Sequence, residues 1–322
     1  MFETVLSFID RHDTFILTTH DSPDVDGVGA QLVAASILKM KGKKFRIINS
    51  SLLPTNLKFI EEGACIEKYD KEIHSEFLEK SALFILDTSD EHHMGPVAEI
   101  LDKVKEVFIM DHHEPAKNMK LNGFFDTSAA STSELAIELA CAVGVELDPQ
   151  TATAAYAGIV YDSGFFAYPK TSVRTFHAAI KTIEWGAVPN HIYRQLMENY
   201  SYAALLLQKQ ALKNMEFFTD RRIAVITLSR EDYEITGAEF EEAEYIVNMP
   251  LKTKEVEVSI LIRENPQGDI RCSLRSKGEV NVSEVADIFG GGGHNTASGF
   301  KSASSIEETL KKLLLEVEAR LV

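Results

Sequence analysis

The sequence predicts an α/β protein, with a doubly wound, mainly parallel sheet followed by a second, smaller α+β domain. Three observations support this fold class. Short apolar runs alternate with helical patterns through the first half of the chain, as in parallel sheets. A helical stretch that is polar on one side follows Pro189 and indicates a helical connector. Strand-like runs then return in a new order, which indicates a second domain.

The first domain is predicted from four apolar runs that are short enough to be buried strands. These runs cover residues 14–19, 45–48, 82–86 and 107–110. Helical patterns cover residues 31–40, 73–80, 97–103, 133–143, 149–161 and 173–185. A Ser/Thr cluster with Glu134 in the first turn indicates where the helix 133–143 begins.

The predicted boundaries give a first domain at 1–188, a helical connector at 189–215 and a second domain at 216–322. In the second domain, strands are predicted at residues 222–228, 256–263 and 270–276. Helices are predicted at residues 238–247, 282–289 and 305–321.

Composition limits the class of substrate. The chain has 322 residues, of which 45% are hydrophobic, enough for two domains with separate cores. Its net charge is −16 at pH 7, and acidic residues exceed basic ones in both halves. Long nucleic acids are bound through many basic contacts, so this excess argues against a platform for long nucleic acid. A phosphorylated substrate is therefore expected to be small.

Sequence features also indicate the cellular compartment. No apolar run approaches the ~20 residues of a membrane helix, so no membrane association is expected. The N-terminus lacks the basic start and apolar core of a signal peptide. The three cysteines lie far apart, which argues against a disulfide framework and for a cytoplasmic protein. The sequence does not determine the oligomeric state, and a homodimer is one of the possibilities.

A loop rich in carboxylates follows the first predicted strand. His20, Asp24 and Asp26 lie within seven residues, between that strand and a helix. Pro23 and Gly27 fit a bent backbone that directs these side chains at one point. A bound cation would remove the repulsion between the carboxylates. The alternative is an acidic turn that only caps the following helix.

Three further segments place carboxylates or imidazoles near the carboxyl ends of strands, where open α/β sheets bind ligands. Asp87 ends one predicted strand, and Asp111, His112 and His113 end the next. Asp162 lies in a glycine-containing turn at the end of a helix. Any one of these residues alone is better explained as a buried, hydrogen-bonded side chain. Together they favour a metal site.

The residue types indicate which metals fit. Imidazoles and carboxylates without thiolates suit manganese, magnesium, cobalt or zinc. Two such ions ~3.5 to 4 Å apart can hold a phosphoryl group, generate hydroxide and stabilise the leaving oxygen. The segment Glu91-His92-His93 has a similar composition but lies past its strand, and the role of its histidines stays open.

These motifs resemble, in order and spacing, the four motifs of the DHH superfamily of phosphoesterases. They are the segment 20–26 (HDSPDVD), Asp87, Asp111-His112-His113 and Asp162. The segment 290–300 (GGGGHNTASGF) resembles the glycine-rich signature of the DHH-associated C-terminal domain. With the segment 273–276 (SLRS), the chain is most similar to the NrnA-type branch of oligoribonucleases (nanoRNases) and pAp phosphatases. The resemblance extends over essentially the whole chain.

The resemblance implies two divalent cations, with Mn²⁺ favoured and Mg²⁺ or Co²⁺ as alternatives. One cation would be bound by His20, Asp24 and Asp87. The other would be bound by Asp26, Asp87, His112 and Asp162, with Asp87 as the bridge. His113 would hold the scissile phosphate, and Asp111 would orient a neighbouring imidazole.

Basic residues of the second domain suggest a phosphate pocket. Arg271, Ser273, Arg275 and Lys277 alternate along the chain and are predicted to face one side of a strand. Four glycines and a histidine follow and could present donors to an anion. A salt-bridged strand face with a flexible turn is the alternative. The resemblance implies substrate contacts by Arg271, Arg275, Ser276, Gly292, Gly293 and His294.

The expected protein is a hydrolase in which metal-bound hydroxide attacks a phosphoester in line, while the second domain holds the substrate end across a cleft. The expected substrates are short oligoribonucleotides, including linear dinucleotides, cut exolytically to mononucleotides, and adenosine 3′,5′-bisphosphate (pAp), cut to AMP. The alternatives are a cyclic-dinucleotide phosphodiesterase, a pyrophosphatase or polyphosphatase, and a non-catalytic nucleotide sensor. The sequence leaves the polarity of digestion and the preferred chain length open.

Overall fold

The chain divides into two compact units, of which the first is Met1–Asn199 and the second begins at Tyr200. The computed structural model describes residues 1–61, 63–115, 121–265 and 267–321, apart from the side chains of Thr55, Asn56 and His92. No helix in these ranges combines the length and the apolar character needed to cross a membrane.

The first unit is built on a parallel sheet of six strands in the order β3-β2-β1-β4-β5-β6. The strands are β1 Thr14–Thr18, β2 Lys44–Asn49, β3 Ile66–Lys68, β4 Ala82–Leu86, β5 Val107–Asp111 and β6 Asn122–Phe125. This sheet confirms the predicted fold class. The four predicted strands form its centre because their side chains are the buried, apolar ones. The edge strands β3 and β6 are short and only partly buried, so the sequence gives little signal for them.

The first strand lies in the middle of this sheet, between β2 and β4. Connections from β1 and β4 therefore leave towards opposite edges, which makes the gap between their carboxyl ends a topological switch point. Such a point is where open parallel sheets bind ligands, and the loops after β1 and β4 carry His20 and Asp87.

Within its described residues, the first unit has seven α-helices. They are α1 Glu3–Arg11, α2 Val25–Met40, α3 Lys71–Leu78, α4 Thr132–Ala142, α5 Pro149–Asp162, α6 Val173–Glu184 and α7 Pro189–Met197. Helix α2 is buried on nearly all sides and packs against α4 and α5. The predicted helix 97–103 is instead part of a 3₁₀ helix, Gly95–Lys103, which has Pro96 in its first turn.

The second unit contains a mixed sheet in the order β11-β12-β10-β9-β8-β7, in which only the β8–β9 pair is parallel among the described strands. Its strands are β7 Met215–Phe218, β8 Ile223–Leu228, β9 Val258–Glu264, β10 Ile270–Ser276, β11 Gly292–His294 and β12 Ala297–Ser302. Its α-helices are α8 Tyr202–Lys213, α9 Arg230–Thr236, α10 Val282–Ile288 and α11 Ile306–Glu318. The predicted helix 238–247 is a 3₁₀ helix, Phe240–Asn248.

Two separate apolar clusters cover the two faces of this mixed sheet. Helices α10 and α11 pack on the face that carries Cys272 and Leu274. Helix α8 packs on the opposite face over β8, and the 3₁₀ helix Phe240–Asn248 packs there over β9 and part of β10. The part of that face formed by β10, β12 and β11 is more exposed.

The predicted connector consists of two helices rather than one. Helix α7 ends at Met197, and α8 begins after Ser201, whose hydroxyl caps it by accepting a hydrogen bond from the Ala204 amide. The division between the two compact units falls within this stretch, after Asn199. Since neither Gly nor Pro marks the break, the sequence pattern alone did not predict it.

Candidate metal centre

The loop after β1 brings His20 and Asp24 together at the start of α2. Asp24 is the N-cap of α2, and its Oδ1 accepts hydrogen bonds of 3.0 Å from the amides of Asp26 and Gly27. The same oxygen lies 3.5 Å from His20 Nε2. The capping role that the sequence left as an alternative is therefore present, and it fixes a carboxylate beside an imidazole.

Asp87, directly after β4, lies at the centre of the candidate site. Its Oδ2 is 3.7 Å from His20 Nε2, and its Oδ1 is 3.6 Å from His112 Nε2. The Thr132 hydroxyl donates a 2.9 Å hydrogen bond to the same Oδ1. The backbone of Asp87 has φ +66°, a left-handed conformation that is unusual for a residue other than glycine. One carboxylate therefore contacts groups from both sides of the switch point.

The three residues at the end of β5 have different surroundings. Asp111 Oδ1 accepts hydrogen bonds from the His113 amide at 3.1 Å and from His113 Nδ1 at 2.7 Å. His112 is buried, with its Nδ1 3.4 Å from the Ala129 carbonyl oxygen and its Nε2 3.0 Å from Asp162 Oδ2. Asp111 therefore orients His113, while the Nε2 side of His112 faces Asp162.

The N-terminus of α4 holds Asp26. Its two carboxylate oxygens accept hydrogen bonds from the amides of Thr132, at 2.7 Å, and Ser133, at 2.9 Å. Amides at a helix N-terminus favour a negative charge and fix its position. The Ser/Thr cluster that marks the start of a helix in the sequence thus also supports the site. This second role was missed because the contact spans more than a hundred residues.

Burial and repulsion oppose ionisation of three carboxyl groups. Burial and the Asp162 charge raise the pKa of Asp26 to about 6. Burial and the Asp24 charge raise the pKa of Asp162 to about 7. Burial and the charge of Asp26 raise the pKa of Asp87 well above its usual range. The site without a cation therefore has more negative charge than its surroundings can stabilise.

Two neighbouring groups keep their charge. Burial also disfavours ionisation of Asp24, but the adjacent His20 imidazole and the capping amides outweigh burial and lower its pKa to about 2. Burial of Asp111 is likewise outweighed, by the hydrogen bond from His113, so its pKa is lowered.

The donor atoms form three groups that could each bind a metal ion, with the atoms of each group within 4.8 Å of one another. The groups are His20, Asp24 and Asp87; Asp26, His112 and Asp162; and Asp87, Asp111, His112 and His113. Although His112 Nε2 lies 3.0 Å from Asp162 Oδ2, neither this nitrogen nor Asp111 Oδ2, both buried, forms a hydrogen bond within the described residues. A hydrogen on His112 Nδ1, towards Ala129, leaves the Nε2 lone pair available to a cation. These residues therefore fit divalent cations.

The second unit places three of the predicted substrate residues on one face. Arg275 on β10 pairs with Ala297 on β12, which in turn pairs with His294 on β11. Directly paired residues in antiparallel strands point to the same side of a sheet, so Arg275 and His294 flank Ala297 on one face. Arg271 lies on this face too and is exposed, while the alternate residues of β10 are buried.

The glycine segment is partly a strand and partly a turn. Gly290 has φ +74°, and the amides of Gly290 and Gly291 donate to carbonyls of α10. Gly292 and Gly293 belong to the edge strand β11. A Cβ atom on Gly293 would lie 2.5 Å from the Ala297 carbonyl oxygen, so this position needs glycine. The first two glycines serve the turn, which leaves β11 as the part available to a ligand.

Ser276 and His93, which the sequence singled out, lie outside the two clusters described above. Ser276 is buried on the opposite face of β10 from Arg275, and its hydroxyl contacts Glu257 and accepts a hydrogen bond from the Gly278 amide. This geometry gives no support to a substrate contact by Ser276. His93 lies in a short 3₁₀ helix with its side chain exposed, in none of the metal-binding groups of the described residues. The side chain of His92 lies outside the described residues.

Known proteins are similar to this chain in sequence. A curated relative from Streptococcus mutans, named "Probable bifunctional oligoribonuclease and PAP phosphatase NrnA", is 27% identical over 97% of this chain and 99% of its own length. The cyclic-di-AMP phosphodiesterase GdpP from Bacillus subtilis is 27% identical over 92% of this chain but 46% of its own length.

A solved structure shares the whole fold. The crystal structure of an exopolyphosphatase-related protein from Bacteroides fragilis aligns with a TM-score of 0.91 and 26% identity, over 98% of this chain and 95% of that one. The family model for the DHH family, N-terminal domain, matches residues 14–159, and the model for the DHHA1 domain matches residues 224–322. The chain therefore belongs to the DHH family, with a DHH N-terminal domain followed by a DHHA1 domain.

Proposed function

We propose that this protein is a divalent-metal-dependent hydrolase that degrades short oligoribonucleotides to mononucleotides and hydrolyses pAp to AMP. The proposal is supported by DHH family membership and by curated relatives named as oligoribonuclease and PAP phosphatase over nearly the whole chain. The observation that carries it is the convergence of all four DHH motifs, around Asp87, at one edge of the first sheet.

In this proposal the first unit binds two cations, with Mn²⁺ as the favoured metal. His20, Asp24 and Asp87 bind one cation, and Asp26, His112 and Asp162 bind the other together with Asp87. Divalent cations at such a site stabilise negative charge on a phosphoryl group and allow water to act as a nucleophile near neutral pH. Asp111 holds His113 in an orientation suited to donating a hydrogen bond to the scissile phosphate.

The second unit binds the rest of the substrate in this proposal. Arg275 supplies a charged donor for a terminal phosphate, and His294 supplies a second donor from β11 across the same face. A pocket for a terminal phosphate favours exolytic cleavage of short chains. The overall charge of −16 supports this preference, because long RNA would be repelled outside the pocket. Fragments of RNA are products of decay in the cytoplasm, where we place the protein.

The test is hydrolysis of a defined substrate set by the purified full chain with Mn²⁺. The set contains pAp, a linear dinucleotide, a pentanucleotide and a long RNA, with products resolved over time. We expect turnover of the first three and little turnover of the long RNA. Absence of turnover of every short substrate, in a folded preparation that binds Mn²⁺, would contradict the proposal and favour the nucleotide sensor.

Two further substrates separate the enzyme alternatives. Similarity to GdpP favours including cyclic di-AMP, and similarity to the exopolyphosphatase-related protein favours including polyphosphate. The proposed site binds a terminal phosphate together with a nucleoside. A cyclic dinucleotide has no terminal phosphate, and polyphosphate has no nucleoside, so neither matches this site. A kcat/KM for cyclic di-AMP above that for its linear product would replace the proposed function with a cyclic-dinucleotide phosphodiesterase.

A further inference from the structure

Three basic residues form a row across the mixed sheet of the second unit. Arg271 on β10 is directly paired with Arg263 on β9 and with Lys301 on β12. Because directly paired residues share a face, the three side chains lie side by side. We call Arg263, Arg271 and Lys301 the cationic row. It lies on the same face as Arg275 and His294, but towards the other end of β10.

The positive charge of this row is not neutralised by ion pairs. In the part of the chain that the structure describes, none of the three residues forms an ion pair, and Arg271 and Lys301 are exposed. Arg263 is buried, donates to the Phe240 carbonyl oxygen and leaves its Nε without a partner. Burial lowers the pKa of Arg263 and the charge of Arg271 adds to this effect, whereas Tyr233 and the carboxylates of Glu244 and Glu241 partly oppose it. Like charges directly opposite in a sheet are unfavourable, so an anion bound here would relieve repulsion.

A strip without large side chains separates the row from Arg275 and His294. Its members are paired across three strands, with Ser273 opposite Gly299 and Gly299 opposite Gly292. On this face the strip connects the cationic row at one end with Arg275 and His294 at the other. A nucleoside could therefore lie flat against the sheet between two anion-binding positions.

The distance along β10 sets the size of ligand that reaches both positions. Arg275 lies four positions after Arg271 on β10, which corresponds to about 13 Å at the usual rise of a strand. Successive charges along one stacked nucleic-acid strand are about 3.4 Å apart along the axis. The span therefore exceeds one nucleotide step and requires a chain with several phosphates.

We propose that the cationic row is a second phosphate subsite, which binds the backbone of oligoribonucleotides longer than a dinucleotide. This inference rests on the proposed function and names the residues that determine its preferred chain length. Arg275 and His294 contact the terminal phosphate of every substrate. Arg271 and Lys301 contact a further phosphate of longer chains, and buried Arg263, beside Arg271, adds positive potential.

The test compares kcat/KM for a pentanucleotide with kcat/KM for a linear dinucleotide. In the Lys301→Ala variant, and separately in Arg271→Ala, the ratio of the two should fall about tenfold, as for loss of one charge-assisted contact. The slope of log kcat/KM against log salt for the pentanucleotide should decrease by about 0.7. Lys301→Arg should restore both values. The matched control is Lys311→Ala, an exposed lysine on α11, which packs on the other face of the sheet.

The outcomes separate this inference from the proposed function. An unchanged ratio in both alanine variants, with wild-type turnover intact, overturns the subsite and leaves the function standing. An equal loss for both substrates also overturns it, because the row would then serve the primary site or the fold. If the wild type hydrolyses neither substrate, calorimetric binding of both oligonucleotides in chelator replaces turnover. A variant that weakens only pentanucleotide binding then supports the subsite while the function fails.

Discussion

Each unit of this molecule places side chains of like charge close together. Those of the first unit are carboxyl groups in a buried site, whereas those of the second unit are basic groups that are mostly exposed. In the first unit, Asp26, Asp87 and Asp162 are held at the switch point with raised pKa values caused first by burial. In the second unit, Arg271 and Lys301 are exposed, and only Arg263 is buried. Buried charges interact strongly, whereas exposed ones are screened by water and salt. We therefore expect cation binding at the first site to be essential for hydrolysis, and the second site to adjust only the affinity for substrate.

The largest expected effect comes from a substitution that tests the carboxylate site of the first unit. Asp87→Ala removes the carboxylate that contacts both His20 and His112. We expect metal-dependent hydrolysis to fall by a factor on the order of 10³ or more, since neither cation retains its full ligand set. Steady-state assays of pAp and dinucleotide over a range of Mn²⁺ measure this. Near-normal turnover in the variant would show that Asp87 does not bridge two cations.

A smaller effect is expected at the terminal-phosphate position. Arg275→Ala should raise KM for pAp and for the dinucleotide about 10- to 100-fold with little change in kcat, because binding is lost equally in the ground and transition states. The control is Arg230→Ala, which removes an exposed arginine paired with Glu234 on α9. If instead kcat falls and KM stays constant, Arg275 acts in the chemical step.

A residue that the sequence did not identify gives a third test. Thr132→Val removes the hydroxyl that donates to Asp87 while it keeps the shape of the side chain. Loss of such a supporting hydrogen bond should weaken Mn²⁺ activation about tenfold. The measurement is the Mn²⁺ concentration for half-maximal activity. Thr153→Val serves as a control, since the Thr153 hydroxyl bonds only to a carbonyl of its own helix, α5. An unchanged Mn²⁺ requirement would show that the Thr132 hydroxyl does not support the site, and that only the Thr132 amide, through Asp26, contributes to it.

The smallest effect concerns the dependence of stability on pH. In the metal-free protein the pKa of Asp26 is about 6 and that of Asp162 about 7, both raised by burial and neighbouring carboxylates. Between pH 4 and these values the folded state binds protons that the unfolded chain has released, so this contribution to stability falls as pH rises. Mn²⁺ removes that penalty. Its effect on Tm should therefore be larger at pH 8 than at pH 5, by about 5 °C.

Two results would contradict this interpretation of the pH dependence. One is an increase in Tm on adding Mn²⁺ that is the same at both pH values. The other is an unaltered pH dependence in an Asp26→Asn, Asp162→Asn double variant. Proton release on Mn²⁺ binding near pH 6, measured by calorimetry in buffers of different ionisation enthalpy, gives an independent check.

Much of the first unit could be predicted from the sequence because its signals are local. Strands such as β4 are continuous apolar runs, and each is followed directly by the charged residues of a motif. The carboxyl ends of parallel strands meet at one edge, so the order of residues along the chain was enough to predict that Asp87 and His112 lie near each other.

The remainder depends on contacts that no local pattern records. Thr132 and Ser133 look like an ordinary helix start, and their contacts with Asp26 depend on how α2 and α4 pack. Strand β11 was not predicted because three residues rich in glycine carry no strand signal. The cationic row was not predicted because pairing of Arg271 with Arg263 and Lys301 depends on register across three strands.

The left-handed backbone at Asp87 has an evolutionary consequence. A residue with a Cβ atom pays roughly 1–2 kcal/mol for that conformation, and Asp87 adopts it at φ +66°. Glycine at position 87 would remove that cost while abolishing the ligand, so an inactive descendant would gain stability by this single substitution. We therefore expect that relatives which have lost metal-dependent turnover carry glycine at this position more often than relatives which retain it.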